Sequence, residues 1–468
     1  MERREPHKPD RNKRFSYGFQ ADHERKKAER QALELELQSN SWFRIGQRAR
    51  KDPKSVFSNL LCHFTKENFR QAFRAIDGSK ARGLDGVTKR EYAERMEENL
   101  ESLIERIHKG TYRPQPKRRG YIPKPNGDLR PIAISSFEDK LVEWVTAKTL
   151  SAIYEPHFDR NSFGFRSAKN AHLALEASYQ SLKKGQRPYV VEMDIEKFFD
   201  TISHRRMILI LQERITDRRL LSLISRFLQA GILEETGLIN PERGTPQGSI
   251  MSPVLANLFL DHCLDGWFRT QMKGHNAVFI RYADDAVFFF ERKDQAETFR
   301  LALKERMKLY GLKLNEKKSG LTDFGKKKGT IFDFLGFTFY WKTADRRSPR
   351  IALSIKTNAR TIIKKIGEYT SWIKKMRSRV RIQILWKQTA AKLRGHYQYY
   401  GWVTNRNKLE HFYRSVVWNL FRWLNRRSQK RSMTWEAFQQ RLQHFPLPTP
   451  PDVHALKPID RWSIYANT

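Results

Sequence analysis

Cysteine is nearly absent from the 468 residues: Cys62 and Cys263 are the only two, and they are far apart. Two thiols in so long a chain build no disulfide framework, and they suit a reducing cytosol. Long apolar runs are missing as well. No uninterrupted stretch approaches the ~18–20 residues of a membrane span, so no membrane partner is expected. The segment Met1 to Arg30 is charged throughout and has no apolar core, so no secretory signal is expected. Acidic residues are outnumbered, with 51 Asp+Glu against 89 Lys+Arg and a net charge of +38. Solubility alone requires far less, so the excess points to a polyanionic partner.

What is present suffices for two to four domains by length, with 39% hydrophobic residues to build their cores. Residues 1–53 form a charged extension in which a helix over Ala21–Leu37 is expected, disordered or ordering on a partner. From Lys54 to Lys109 apolar residues recur at helical spacing, broken by a loop with Gly83 and Gly86. Tyr112 to Pro131 is rich in Pro and Gly, and Asn126-Gly127 predicts a hairpin between extended arms. Helical spacing follows at Phe137–Tyr154, Ala168–Leu182 and Arg205–Ala230, with a short apolar run, Tyr189–Ile195, among them. A Pro/Gly-marked loop spans 243–253, before a helix through Leu264. Two strands over 277–290, a helix over 294–310 and the apolar run Phe332–Trp341 complete this part. Interleaved strands and helices indicate an α/β or α+β core.

After Lys342 the composition changes. Residues 342–443 carry 25 Lys+Arg against 4 Asp+Glu, so a net +21 of the chain's +38 sits in this segment. Apolar and aromatic residues recur among the charges at helical spacing, which predicts a basic helical domain able to lie along a phosphate backbone. The segment 444–468 contains Pro446, Pro448, Pro450 and Pro451 and is expected to be extended.

The chemistry is concentrated at Tyr282-Ala283-Asp284-Asp285, where two adjacent carboxylates sit between two apolar strands. Burying two unpaired carboxylates is costly, and a divalent cation removes the conflict. Magnesium takes carboxylate oxygens and substrate phosphates, so this is a candidate phosphoryl-transfer site. A two-metal site draws carboxylates from more than one element. Asp194, at the end of the Tyr189–Ile195 run, is the second source; its alternative is helix capping.

In this setting the chain resembles a reverse transcriptase, and specifically a group II intron-encoded maturase, in order from about Lys54 to Pro451. The resemblance is carried by Gly83-Leu84-Asp85-Gly86-Val87-Thr88, Tyr121-Ile122-Pro123-Lys124 with Leu129-Arg130-Pro131-Ile132, and Asn161-Ser162-Phe163-Gly164-Phe165-Arg166. It continues through Asp194 with Phe198-Phe199-Asp200, Gly244-Thr245-Pro246-Gln247-Gly248-Ser249 and Tyr282-Ala283-Asp284-Asp285. Leu314-Asn315-Glu316-Lys317-Lys318-Ser319 and Phe334-Leu335-Gly336-Phe337 complete it. The resemblance implies an α+β right-hand polymerase fold, with fingers and palm over 54–341 and a helical thumb, or maturase domain, over 342–443.

It also implies roles. Asp194, Asp284 and Asp285 would hold two Mg²⁺ ions, with Mn²⁺ as a substitute. Lys124 and Arg130 would close on the nucleotide triphosphate, where a guanidinium binds phosphate in a bidentate way. Phe199 would sit under the sugar and exclude a 2′-hydroxyl; a plain core aromatic is its alternative. Gln247 would position the nucleotide, and Ile195 would contribute a backbone N–H at most. Lys318, next to Lys317, is the candidate general acid for pyrophosphate. In the thumb, Arg394, Tyr397 and Tyr400 of Leu393–Trp402, with Arg426, Arg427, Lys430 and Arg431, would contact RNA by stacking and phosphate pairing. The alternative for Tyr397 and Tyr400 is packing between helices.

The implied partners are group II intron RNA or another RNA template, a DNA primer or target, and dNTPs, in a bacterial cytosol or nucleoid, for a monomer or a dimer. Many relatives of this kind end in an HNH nuclease with paired cysteines. No such pair exists here, so no endonuclease is expected, and the primer would come from elsewhere, such as nascent DNA at a replication fork. Three functions compete: a mobile-intron polymerase that assists splicing and retrohoming, a domesticated relative in DNA repair or phage defence, and an RNA-binding splicing factor without polymerase activity. Presence of all three aspartates disfavours the last.

Overall fold

The computed structural model of the protein describes residues 41–451, apart from 124–128, 235–236, 240–241, 327–328, 346–347, 403 and 428–432. The helix expected over 21–37, Lys124, Lys430, Arg431 and the last 17 residues lie outside the described residues. The chain divides into two compact units.

The first unit is helical, and its described residues are 41–115, 136–158 and 208–227. Its centre is the helix Phe137–Tyr154, started by the Ser136 hydroxyl, which accepts a hydrogen bond from the Asp139 N–H. That bond satisfies one of the amides a helix start leaves unpaired. The helix Ser41–Lys51 packs on it through Trp42, whose ring meets Trp144 edge-on and whose Nε1 donates to Thr149 Oγ1 at 3.1 Å. The region expected to be helical over Arg205–Ala230 is two helices, His204–Gln212 and Arg218–Gln229. Asp217 breaks them apart by accepting from the Arg219 and Leu220 amides, a cap that apolar periodicity does not reveal.

The second unit holds all eleven strands of the described residues. A four-stranded sheet has the order β2-β1-β4-β5, with β1 Lys117–Pro123, β2 Leu129–Ile134, β4 Ile232–Glu234 and β5 Gly237–Ile239. β1 and β2 are the antiparallel arms expected around Asn126-Gly127, paired as far as Pro123 opposite Leu129. A second sheet has the order β6-β7-β3-β8, with β3 Tyr189–Met193, β6 Val278–Tyr282, β7 Asp285–Phe290 and β8 Gly320–Asp323. Its strand β7 is buried on both faces. Successive side chains of β7 alternate: Phe288 and Phe290 meet Phe299 of the helix Lys293–Leu309, while Phe289 meets Phe332 on the other side. Each such ring contributes about 1.5–3 kcal/mol on burial.

The third sheet, β11-β10-β9, comprises β9 Ile331–Phe334, β10 Phe337–Asp345 and β11 Ser348–Thr357. The single apolar run expected over Phe332–Trp341 is therefore two strands, turned at Leu335 and Gly336, both with positive φ. The composition change at Lys342 falls inside β10, and the helical region begins at Ala359, where Asn358 caps the helix. Charge content tracks the surface and not the backbone, so it misplaces this boundary. Four helices follow: Ala359–Met376, Ile382–Tyr400, Arg406–Leu424 and Trp435–His444. Beyond them the chain is extended to residue 451 and tied back, as the Phe445 carbonyl accepts from Trp386 Nε1 and the Pro448 carbonyl from the Tyr397 hydroxyl.

Candidate active site

The antiparallel register of β3 with β7 pairs Met193 with Ala286, which sets Asp194 beside Asp285 at the end of the ladder. Their carboxyls lie within hydrogen-bond reach of each other. Asp284 occupies the β6–β7 turn one residue earlier. Burial, followed by the charges of Asp284 and Asp194, pushes the Asp285 carboxyl well above the ordinary carboxylate range, against the pull of Lys318. Lys318 Nζ lies 3.1 and 3.2 Å from the two oxygens of Asp194. Lys317 lines the same cavity, of about 630 Å³, but the ammonium that meets the Asp194 carboxylate is that of Lys318.

Asp194 is also held from behind. Its N–H donates to Ser319 Oγ at 3.2 Å, and Asn315 Nδ2 donates to its Oδ2 at 3.0 Å. Both residues lie in the Leu314–Ser319 motif, where sequence reading singled out only the lysine. Asp333 and Arg360 line the same cavity, and neither carries a signal in the linear sequence.

The turn bearing Asp284 is strained, with Ala283 in the left-handed region at φ 56°. Such a residue costs about 1–2 kcal/mol and needs support. Arg281 supplies it. This fully buried guanidinium donates to the Ala283 carbonyl at 3.0 Å, to Asn257 Oδ1 at 3.0 Å, and to both oxygens of buried Asp265 at 2.6–3.1 Å. Burial pushes the Asp265 carboxyl up, but the three contacts have the geometry of a bidentate ion pair. Asn257 in turn donates to the Gly164 carbonyl at 2.7 Å. A Cβ on Gly164 would stand 2.2 Å from the Ala283 nitrogen, so only glycine fits. The Asn161–Arg166 motif is thus a brace for the aspartate turn. Asp265 and Asn257 are far from that turn in sequence, and no motif of the chain contains them.

Phe199 is half-buried, edge-on to Phe165 and Phe198. Ile195 is buried, which leaves only its backbone for contact. Gln247 Nε2 donates to Asp200 Oδ1 at 3.4 Å, and its carbonyl accepts from the Ala133 N–H of β2 at 2.6 Å. Arg130 lies in β2, opposite Ile122, but its side chain is outside the description.

In the basic helices Arg394, Arg426 and Arg427 are exposed. Tyr397 and Tyr400 are not. Tyr397 is 7% exposed and Tyr400 8%; the first packs beside His396 and the second on Phe337 and His396. Their expected role as RNA-stacking rings is corrected: alternate aromatics on a helix face are spent on packing. Arg426 lies 5.2 Å from the centroid of Trp423, beside Arg377 at 4.8 Å.

Mg²⁺ fits this donor set. Asp194, Asp284 and Asp285 offer oxygen atoms only, and two of them touch, which like charges tolerate with a proton or a cation between them. Among the described residues no group of three or more acidic, His or Cys side chains is placed to hold a metal ion by itself. The edge is open, as Mg²⁺ sites completed by substrate phosphate are. Among the described residues no helix is long and apolar enough to cross a membrane.

Residues 122–339 match the family described as reverse transcriptase (RNA-dependent DNA polymerase). The chain is 35% identical over 224 residues to the group II intron-encoded protein LtrA of Lactococcus lactis subsp. cremoris, covering 47% of this chain and 37% of that protein. It is 33% identical over 220 residues to the protein YkfC of Escherichia coli strain K12, covering 46% and 58%. A third relative, "Nuclear intron maturase 4, mitochondrial" of Arabidopsis thaliana, is 24% identical over 148 residues, covering 31% and 18%. The chain thus spans less than two thirds of the length of each of these relatives. With the aspartate edge, its brace and the sheet β6-β7-β3-β8 inside the matched segment, residues 122–339 match a reverse transcriptase domain and are similar to those of group II intron-encoded proteins.

Proposed function

We propose that the chain is an RNA-directed DNA polymerase of the group II intron type, copying an RNA template from dNTPs onto a DNA primer. The meeting of Asp194 and Asp285 from two strands, next to Asp284 and Lys318, carries this reading. Mg²⁺ held by these carboxylates, or Mn²⁺ in its place, would supply Lewis-acid activation of the primer 3′-hydroxyl and neutralise charge on the triphosphate. Lys318 is placed on the same carboxylate to give a proton to the departing pyrophosphate. Phe199, backed by Phe165, forms an aromatic wall that rejects a 2′-hydroxyl. Gln247 orients the nucleotide from a loop pinned to β2, and the Ile195 backbone N–H borders it. Lys124 and Arg130, which flank Asn126-Gly127 in the sequence, would clasp the triphosphate.

The intron-related names of the relatives support a group II intron as the RNA, gripped by the basic helical region to assist splicing and retrohoming. Exposed Arg394, Arg426 and Arg427 give this region its phosphate contacts. The assembled aspartate edge and its brace weigh against a splicing factor without polymerase activity.

The test is Asp284→Ala with Asp285→Ala. Mg²⁺-dependent extension of a primed RNA template disappears, while RNA affinity stays within about twofold, because phosphate contacts carry it. Extension that survives both substitutions rejects the assignment.

A further inference from the structure

A cavity of about 430 Å³ lies among the helices Ala359–Met376, Ile382–Tyr400 and Arg406–Leu424. This volume falls in the range of small-molecule sites, roughly 300–1,000 Å³. The polymerase chemistry uses none of its walls. Among those walls are the half-buried ring of Tyr399 and the rings of Tyr369, Tyr400 and Phe412, which are buried in packing between helices.

His396 is part of the lining and is the unexplained group. It stacks on Phe412 with centroids 3.8 Å apart, and it is only 7% exposed. Its Nε2 is buried and has no hydrogen-bond partner. Buried polar atoms are normally satisfied, so an orphan lining a cavity points to a missing ligand. Burial, then the charge of Lys365, pushes His396 down to about 4, so the ring is neutral at physiological pH. A neutral imidazole nitrogen accepts or donates according to tautomer, and suits a polar ring edge.

Two cations are also in the lining, Lys392 exposed and Lys365 partly buried. Lys365 Nζ pairs with Glu368 at 2.8 Å, and Lys392 lies over the Trp372 ring at 4.7 Å. One carboxylate against two ammonium groups leaves positive charge for an anion. Gly395 leaves the wall open, since a Cβ there would meet nothing within 4 Å.

We propose that this cavity binds a single unstacked nucleotide, its base against the half-buried Tyr399 ring with an edge on His396 Nε2 and its phosphate on Lys365 and Lys392. Aromatic faces stack on any base, and unstacked bases are read along their edges. The inference rests on the RNA-binding reading of the basic region. The nucleotide is either a free 5′-monophosphate or one splayed out of a bound RNA strand.

The full chain is compared with Gly395→Leu, which adds a bulky side chain at a glycine of the cavity lining and favours helix over glycine, and with Lys392→Gln at the exposed side. Fluorescence anisotropy follows a short labelled single-stranded RNA, and calorimetric titration follows the four nucleoside 5′-monophosphates. Both variants are expected to weaken binding by at least about fivefold, the scale of one lost stacking contact, with thermal unfolding unchanged. Weakening on RNA alone supports the splayed nucleotide; weakening on a monophosphate supports the free one. Equal RNA binding by all three proteins, with no monophosphate bound, overturns the cavity proposal and leaves the RNA-binding reading standing. A parent chain that binds neither probe overturns both. Should Gly395→Leu unfold, Lys392→Gln decides by the same criteria.

Discussion

Asp284, Asp285 and Asp194 are visible in the sequence because each interrupts an apolar run, and a carboxylate there has a high solvation cost. Arg281 is adjacent to the same motif, yet its task is invisible without Asp265 and Asn257, which a helix brings to it. A residue that works by holding another has no compositional signature. Arg281→Ala strands the Asp265 carboxylate, which is 0% exposed, and is expected to lower stability by about 3–5 kcal/mol. Arg281→Lys keeps the charge but loses the bidentate fork, so it recovers only part of the stability. Urea unfolding reads the first effect. Primer extension reads the second, and an Arg281→Lys enzyme with full activity contradicts the bracing role. Tyr397 and Tyr400 teach the opposite lesson: their residue type suggested stacking on bases, and packing claimed them first.

At the scale of elements, the helix expected over Phe137–Tyr154 is found with those bounds, because cap and periodicity agree. The strand pair over 277–290 is likewise found, with its turn at the two aspartates. Where elements differ, a local side chain or a turn decided. Asp217 divides one expected helix, and Leu335-Gly336 folds one expected run into two strands. The helix expected through Leu264 includes a π-helical stretch, Asp261–Asp265, which delivers Asp265 to Arg281. The loop Gly244–Ser249 has its own steric logic. Gly248 has φ 113°, and a Cβ there would stand 2.7 Å from the Ala133 carbonyl oxygen of β2. Gly248→Ala therefore forces the loop off the strand at a cost on the order of 1–3 kcal/mol. Single-nucleotide extension should show a raised KM for dNTP and a rate at least about tenfold lower. Unchanged kinetics would mean that Gln247 does not depend on this anchor.

For the whole molecule, charge is the governing quantity. A net +21 in residues 342–443 is a surface property, legible by counting, and it predicts counterion release. The logarithm of RNA affinity should fall linearly with the logarithm of salt, by about 0.7 per phosphate contacted. Arg426→Gln with Arg427→Gln, both exposed, should flatten that slope by about 1.4 and leave sequence preference unchanged. A slope unmoved by the pair assigns the contacts elsewhere. The sequence by itself determined the interleaving of strands and helices, the aspartate edge and the excess of positive charge, since these follow from alternation, solvation cost and counting. Only the tertiary structure decided which lysine meets Asp194, what braces the Ala283 turn, and which aromatics are core. Those depend on contacts between residues distant in the chain, where a strand register or a helix crossing, and not residue type, sets who meets whom.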